Sequence, residues 1–296
     1  MLQTATIPEA DRLIFSTQRA EYQHYDVFCL PPSDHDWSLR QLTDENEKRQ
    51  RDFKLKLGTA LAVQGIRVAY APRVVAMSGA IIEQDDFPAE HSIELPSGVT
   101  LKRTALPSDG TFIGKNEAFV MSGGGCPVVI VSGRGICIVA HASRDSLLDR
   151  IRMLGTPDEK PREHFSLIDA IAAKVRARGF DPKDMTLRAL LQVPSECFGH
   201  PMRPDLEPDW RTKRKYNVVM HGWVNDLFGR GIAVERNGIS YLSIGKLIAR
   251  QAALAGFEHI LVDELPLPAD GPYAHTRHPD QELKKLRNLA IVHRIS

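Results

Sequence analysis

Ser122-Gly-Gly-Gly-Cys126-Pro-Val-Val-Ile-Val-Ser-Gly-Arg-Gly-Ile-Cys-Ile-Val-Ala-His141-Ala142 reads as two buried strands, Val128 to Val131 and Ile136 to Val139, joined by the turn Ser132-Gly133-Arg134-Gly135. Short apolar runs of β-branched residues bounded by Gly and Ser have the look of strands covered on both faces. If the two pair as a hairpin, the residues that flank them return side by side. Cys126 before the first strand and His141 after the second then meet at one edge of a sheet. The glycines ahead of Cys126 leave the backbone free to take positive φ and let a ligand approach. A thiol beside an imidazole is the arrangement of a nucleophile and its base. A cysteine or histidine standing alone at a strand end is ordinarily structural. Cys137 alternates between Ile136 and Ile138 and reads as core.

Outward from the hairpin, strands and helices mix throughout. Helices are expected over Thr43 to Gly65, Asp145 to Leu154, Ser166 to Arg178 and Ser243 to Ala255, from apolar residues three and four apart with Gly stops. Strands are expected at Tyr22 to Leu30, Arg67 to Tyr70, Val74 to Met77, Ala80 to Glu83, Leu187 to Val193, Tyr216 to His221, Ile232 to Val234 and His259 to Val262. Residues 203–215 read as a polar surface loop. The pattern predicts an α+β fold, a single domain of mixed β-sheets covered by helices over 41–296, with 1–40 as an irregular N-terminal extension.

The chain has 296 residues, 43% of them hydrophobic and 25% charged, with a formal net charge of +1. That balance argues against a surface dedicated to nucleic acid or to an anionic membrane. No apolar run is long enough to span a bilayer, and no signal-peptide pattern opens the sequence. The four cysteines, at 29, 126, 137 and 197, have no CxxC spacing, so free thiols in a cytoplasmic setting are expected. The sequence leaves the oligomeric state open.

Several segments, in order, resemble the bacterial YfiH family of laccase-domain proteins. Gly124-Gly-Cys126-Pro-Val-Val-Ile stands where that family has T-A-D-C-L-P-V-L-L, and Ala140-His141-Ala142-Ser-Arg144 where it has A-H-A-G-W-R-G. Cys197-Phe-Gly199-His-Pro201 echoes its C-I-G-P segment, and Arg250-Gln-Ala-Ala-Leu-Ala-Gly256 its R-x-Q-L-x-x-A-G helix. His275-Thr-Arg277-His278 and Leu286-Arg287 echo its C-terminal motif. The Asp before the motif cysteine is replaced by Gly125, and the Q-V-H-G motif is absent, with His91 at about the right distance before Cys126 and Asp109 between them. The glycine run ahead of Cys126 and the short hairpin look equally like the chemotaxis deamidase CheD and the cytotoxic necrotizing factors of the same superfamily.

The resemblance implies one of two chemistries. His91, Cys126 and His141 together would make a zinc site with one open position. The family then implies phosphorolysis of purine nucleosides or deamination of adenosine, with Arg144, Arg277 and Arg287 as phosphate-binding candidates. Without His91, Cys126 and His141 would act as nucleophile and base in a metal-free amide hydrolase, with a glutamine-bearing protein as a candidate substrate and no cofactor. Asp109, Cys197 and His200 are accessory candidates. A binding protein that keeps the fold without catalysis is the third reading.

Overall fold

The computed structural model describes residues 2–4, 16–21, 24–32, 36–74, 78–155, 160–206, 211–262, 273, 280 and 282–296. Its strands are β1 (Leu2–Thr4), β2 (Ser16–Glu21), β3 (Tyr25–Leu30), β4 (Val68–Arg73), β5 (Ile81–Ile82), β6 (Ile93–Glu94), β7 (Thr100–Pro107), β8 (Gly110–Phe112) and β9 (Glu117–Gly123). They continue as β10 (Val128–Gly133), β11 (Ile136–His141), β12 (Thr186–Leu190), β13 (Gly199–Pro201), β14 (Ala233–Arg236), β15 (Ile239–Leu242), β16 (His259–Val262) and β17 (Asn288–Arg294). The helices are α1 (Glu47–Ala62), α2 (Arg144–Leu147), α3 (Arg150–Leu154), α4 (Leu167–Ala177), α5 (Arg211–Phe228) and α6 (Ile244–Leu254).

Two mixed sheets carry the architecture. One has eight strands in the order β1-β2-β3-β17-β9-β4-β7-β6, the other six in the order β16-β12-β10-β11-β8-β5, and β13-β15-β14 form a small third sheet. Alternation along the hairpin shows how they stack. Val128, Ile130, Cys137 and Val139 pack with Val27, Phe119, Met121 and Val292 of the eight-stranded sheet. Val129, Val131, Ile138 and Ala140 face the other way and pack with Ile168 and Ile171 of α4 and Leu247 and Ile248 of α6. On the far side of the eight-stranded sheet, Phe53, Leu57 and Leu61 of α1 cover Phe28, Val120 and Ile291. The molecule is therefore two sheets face to face, each with helices on its outer side, which is why Val128–Val131 of β10 and Ile136–Ala140 of β11 are apolar on both faces.

The hairpin forms as expected, in the register Val128↔His141 through Gly133↔Ile136. Arg134 at φ 48° and Gly135 at φ 79° make its two-residue turn, the conformation that matches the twist of antiparallel strands. Ser166 caps α4 with a reciprocal bond to Asp169, and Ser243 caps α6.

Three expectations change. Tyr216 to His221 is not a strand but the middle of α5, an 18-residue helix that also absorbs part of the expected 203–215 loop. Tyr216, Met220, Val224 and Phe228 recur every four residues and are buried against the α4 and α6 side of the core, a helical stripe partly hidden by the intervening Val218 and Val219. The expected helix at 145–154 is two short ones, capped separately by Ser143 and Asp149. The N-terminal extension is not irregular throughout: β2, which was not expected, pairs antiparallel with β3, and β3, within the strand expected at Tyr22 to Leu30, joins β17 inside the large sheet. The expected strand Val74 to Met77 falls mostly outside the described residues, as do His275, Arg277 and His278.

Candidate active site

Cys126 lies where the chain leaves β9 of one sheet and enters β10 of the other. Gly125 takes φ 95° at that crossing, a value for which an added Cβ is penalised. Its carbonyl accepts a bond from Val193 N–H at 3.3 Å, which ties the crossing to the end of β12. The Ala142 N–H donates to Pro127 O at 2.9 Å, fixing the end of β11 against the start of β10. The thiol is partly exposed, unlike the buried Cys29 and Cys137. Burial pushes the Cys137 thiol up to about 12, and it raises that of Cys29 as well. Those two are core residues.

Strand β8 brings the third group. It pairs with β11 at Ala140↔Gly110, so the next pair along is His141 with Asp109, and His141 N–H donates to Asp109 O at 2.8 Å. The two strands approach so closely that a Cβ on Gly110 would lie 2.5 Å from the Ala140 Cβ and from the Val139 carbonyl oxygen. Asp109 is completely buried, and its Oδ1 stands 3.3 Å from His141 Nδ1. The other carboxylate oxygen accepts from the Ser78 hydroxyl and from Gly79 N–H at 2.8 Å. Those donors orient the carboxylate so that its other oxygen faces the imidazole, and the imidazole in turn interacts electrostatically with Cys126.

Burial by itself would lower the pKa of His141. The Asp109 carboxylate, by hydrogen bond and by charge, and the interaction with Cys126 overcome it and raise the value to about 10. The carboxylate thus favours the protonated form of His141, next to Cys126 in the interaction network. An acid that orients a histidine that in turn faces a nucleophile is the general form of a catalytic triad.

The remaining candidates are placed apart. His91 ends an exposed helical turn, Ala89–His91, beside Arg103 and Thr104 of β7 on the outer part of the eight-stranded sheet. Among the described residues no three His, Cys, Asp or Glu side chains stand close enough to hold a metal, and Asp109 is committed to His141, Ser78 and Gly79. The described donors do not fit the zinc site of His91, Cys126 and His141 expected from resemblance. Arg144 lies face-on over Tyr216 at 4.6 Å, donates to Asp145 Oδ1 and Asn217 Oδ1, and meets His200 Nδ1 at 3.0 Å. These contacts spend most of its guanidinium inside the protein. Arg287 precedes the Asn288↔Gly123 pair of β17 and β9, and its Nη1 bonds the Leu286 carbonyl at 2.7 Å. Cys197 sits in the helical turn Ser195–Cys197, and His200 in β13.

Ser78 and Gly79 had no sequence signal: they lie 31 and 30 residues before the carboxylate they hold and belong to no motif. Asp109 came only from the resemblance, as the acid expected between His91 and Cys126, and not from any local signal for its bond to His141.

No protein-family model matches the sequence, and no curated protein matches it. Solved structures do. The Bacillus licheniformis hypothetical protein YfiH superposes with a TM-score of 0.58 at 14% identity, covering 95% of this chain and 91% of that one. The chain has the YfiH fold. YlmD from Geobacillus stearothermophilus gives a TM-score of 0.58 at 12% identity over 99% of this chain and 100% of its own. A Neisseria meningitidis protein of family DUF152 gives 0.57 at 10% over 95% and 99%. Near-complete coverage in both directions means that the two face-to-face sheets and the crossing at Cys126 belong to one YfiH-like unit.

Proposed function

We propose that this YfiH-fold protein is a metal-independent thiol hydrolase that cleaves a carboxamide, with Cys126 as nucleophile, His141 as acid and base, and Asp109 as the group that orients and charges His141. The observation that carries the reading is the buried Asp109–His141 pair at 3.3 Å, at the strand end beside Cys126, with the imidazole raised in pKa to about 10 by Asp109 and Cys126. An imidazolium beside a thiol favours the thiolate, the reactive form. The thiolate sulfur attacks the carbonyl carbon, and the C=O electron pair moves to oxygen. When the tetrahedral adduct collapses, the C–N bond breaks, the nitrogen leaves as ammonia or amine with a proton from His141, and a thioester remains. Neutral His141 then takes a proton from water, the hydroxide attacks the thioester, and carboxylate and thiol are released.

The test is ammonia release from glutaminyl peptides, with and without EDTA, by the wild type and by Cys126→Ala. Release that survives EDTA and vanishes in the variant supports the reading. Near-stoichiometric zinc in the purified protein, with turnover of inosine or adenosine that EDTA abolishes, would overturn it in favour of the nucleoside chemistry that resemblance implies. An inert thiol with neither activity would leave a binding protein.

A further inference from the structure

Continuing the β10–β12 register two residues past Val128↔Leu190 sets Gln192 opposite Cys126, and the Val193 bond to Gly125 shows that the pairing persists there. Gln192 is 3% exposed, and among the described residues neither its Nε2 nor its Oε1 has a hydrogen-bond partner. A buried carboxamide with both ends unsatisfied is costly in a folded protein and calls for an explanation. The residue before it, Leu191, is buried and held at φ 63°, a left-handed conformation that bulky residues rarely take. Such outliers gather where a chain is bent to present a group.

Gln192 lines a cavity of about 280 Å³ with Val193, Ser195 and the first turn of α6 at Ile244, Gly245 and Lys246. Of the N–H groups that open α6, that of Lys246 is taken by Ser243 Oγ at 3.4 Å, while those of Ile244 and Gly245 have no partner within the helix, and such groups favour an anion. Because β16 follows α6 and runs parallel to β12, this helix start lies at the carboxyl ends of both strands, where α/β sheets commonly bind ligands. A second cavity of about 350 Å³ shares Ser195, Ser243 and Lys246 and adds Arg236, Tyr241 and one carboxylate, Glu196. Lys246 and Arg236 make the cationic side of this paired space.

We propose that this cavity is the substrate pocket of the thiol reaction: Gln192 donates to the carbonyl oxygen under attack at Cys126, and the α6 start with Lys246 binds a carboxylate or phosphate carried by the same substrate. The inference rests on the thiol reading above. During attack the carbonyl oxygen gains the electron pair of its π bond, and a preplaced N–H stabilises that charge.

Alkylation kinetics test the pocket without a known substrate. The rate ratio of iodoacetate to iodoacetamide at Cys126, referred to the unfolded chain, should be raised about tenfold by an anion site and should fall in Lys246→Glu. Inorganic phosphate or succinate should protect Cys126 from iodoacetamide, and whichever protects better names the anion. Gln192→Ala should slow acylation by p-nitrophenyl acetate by roughly tenfold to a hundredfold while leaving alkylation, which forms no oxyanion, unchanged. A ratio untouched by Lys246→Glu, no protection by either anion, and normal acylation in Gln192→Ala would overturn the pocket while the thiol reading stood. If Cys126 is inert to both reagents the thiol reading fails first. The anion site is then judged by phosphate and succinate thermal shifts in Cys126→Ala, which Lys246→Glu must abolish.

Discussion

Two cysteine–histidine pairs occupy this chain, and they differ in what surrounds them. Cys197 and His200 are three residues apart in a bend. His200 is buried, stacks edge-on against Phe198 at 4.7 Å, and faces the Arg144 guanidinium through Nδ1 at 3.0 Å. Arginine can only donate, so that nitrogen accepts and the ring serves to hold α2 against the β13 sheet. Cys126 and His141 are fifteen residues apart and are joined by the hairpin, with Asp109 supplied by a third strand. Closeness in sequence alone suggests the first pair, but the second has the acid that favours a charged imidazole beside a thiol.

The largest expected effect separates the pairs at once. Cys126→Ala should abolish turnover, whereas Cys197→Ala should leave it within about twofold of wild type, because only the nucleophile forms the covalent intermediate. Peptide-mapped iodoacetamide labelling at pH 7 should modify Cys126 at least roughly tenfold faster than Cys197. Equal rates would erase the distinction. Next in size is Asp109→Asn, which keeps the shape of the buried side chain and removes its charge. By analogy with the loss of the orienting acid in other triads, turnover should fall on the order of a hundredfold to ten-thousandfold. The check is that melting temperature changes far less than turnover.

The sheet frame was largely legible. Val128 to Val131 and Ile136 to Val139 are apolar on both faces because each face has a cover, and no single-faced strand gives that pattern. The helix at Tyr216 to Phe228 was not legible, because Val218 and Val219, with β-branched side chains, interrupt a stripe of period four. The same contrast holds at the site. Cys126 and His141 can be paired by counting from a turn. Asp109 with Ser78 and Gly79, and Gln192 beside Cys126, depend on which strands neighbour the hairpin, and nothing local encodes that. Resemblance supplied His91 as a ligand, but the eight-stranded sheet carries it on an exposed turn of its own.

The charged state of His141 has a thermodynamic signature. Its pKa is raised from an ordinary 6.5 to about 10, so folding binds a proton that the unfolded chain releases above 6.5. The stabilisation is complete below that pH and is lost as pH climbs through the folded value. Stability should decline between roughly pH 6.5 and 10, by on the order of a few kcal/mol, and His141→Gln should flatten the decline. Urea unfolding midpoints across that range measure it. A wild-type curve no steeper than that of the variant would mean a neutral imidazole, and the activated pair would lose its main support.

The smallest effect bears on the bend. His200→Ala removes the acceptor that Arg144 meets but leaves Asp145, Asn217 and the Tyr216 face in place. A guanidinium with most of its partners kept should cost about 1–2 kcal/mol, mainly from the lost bond and the space left beside Phe198. Alkylation of Cys126 should stay within about twofold of wild type, since an arginine that still stacks on Tyr216 still anchors α2 after His141. A different split would change the comparison itself. If stability held while alkylation collapsed, His200 and Arg144 would have to act on the reacting thiol, and the two pairs would be parts of one centre rather than a structural pair beside a chemical one.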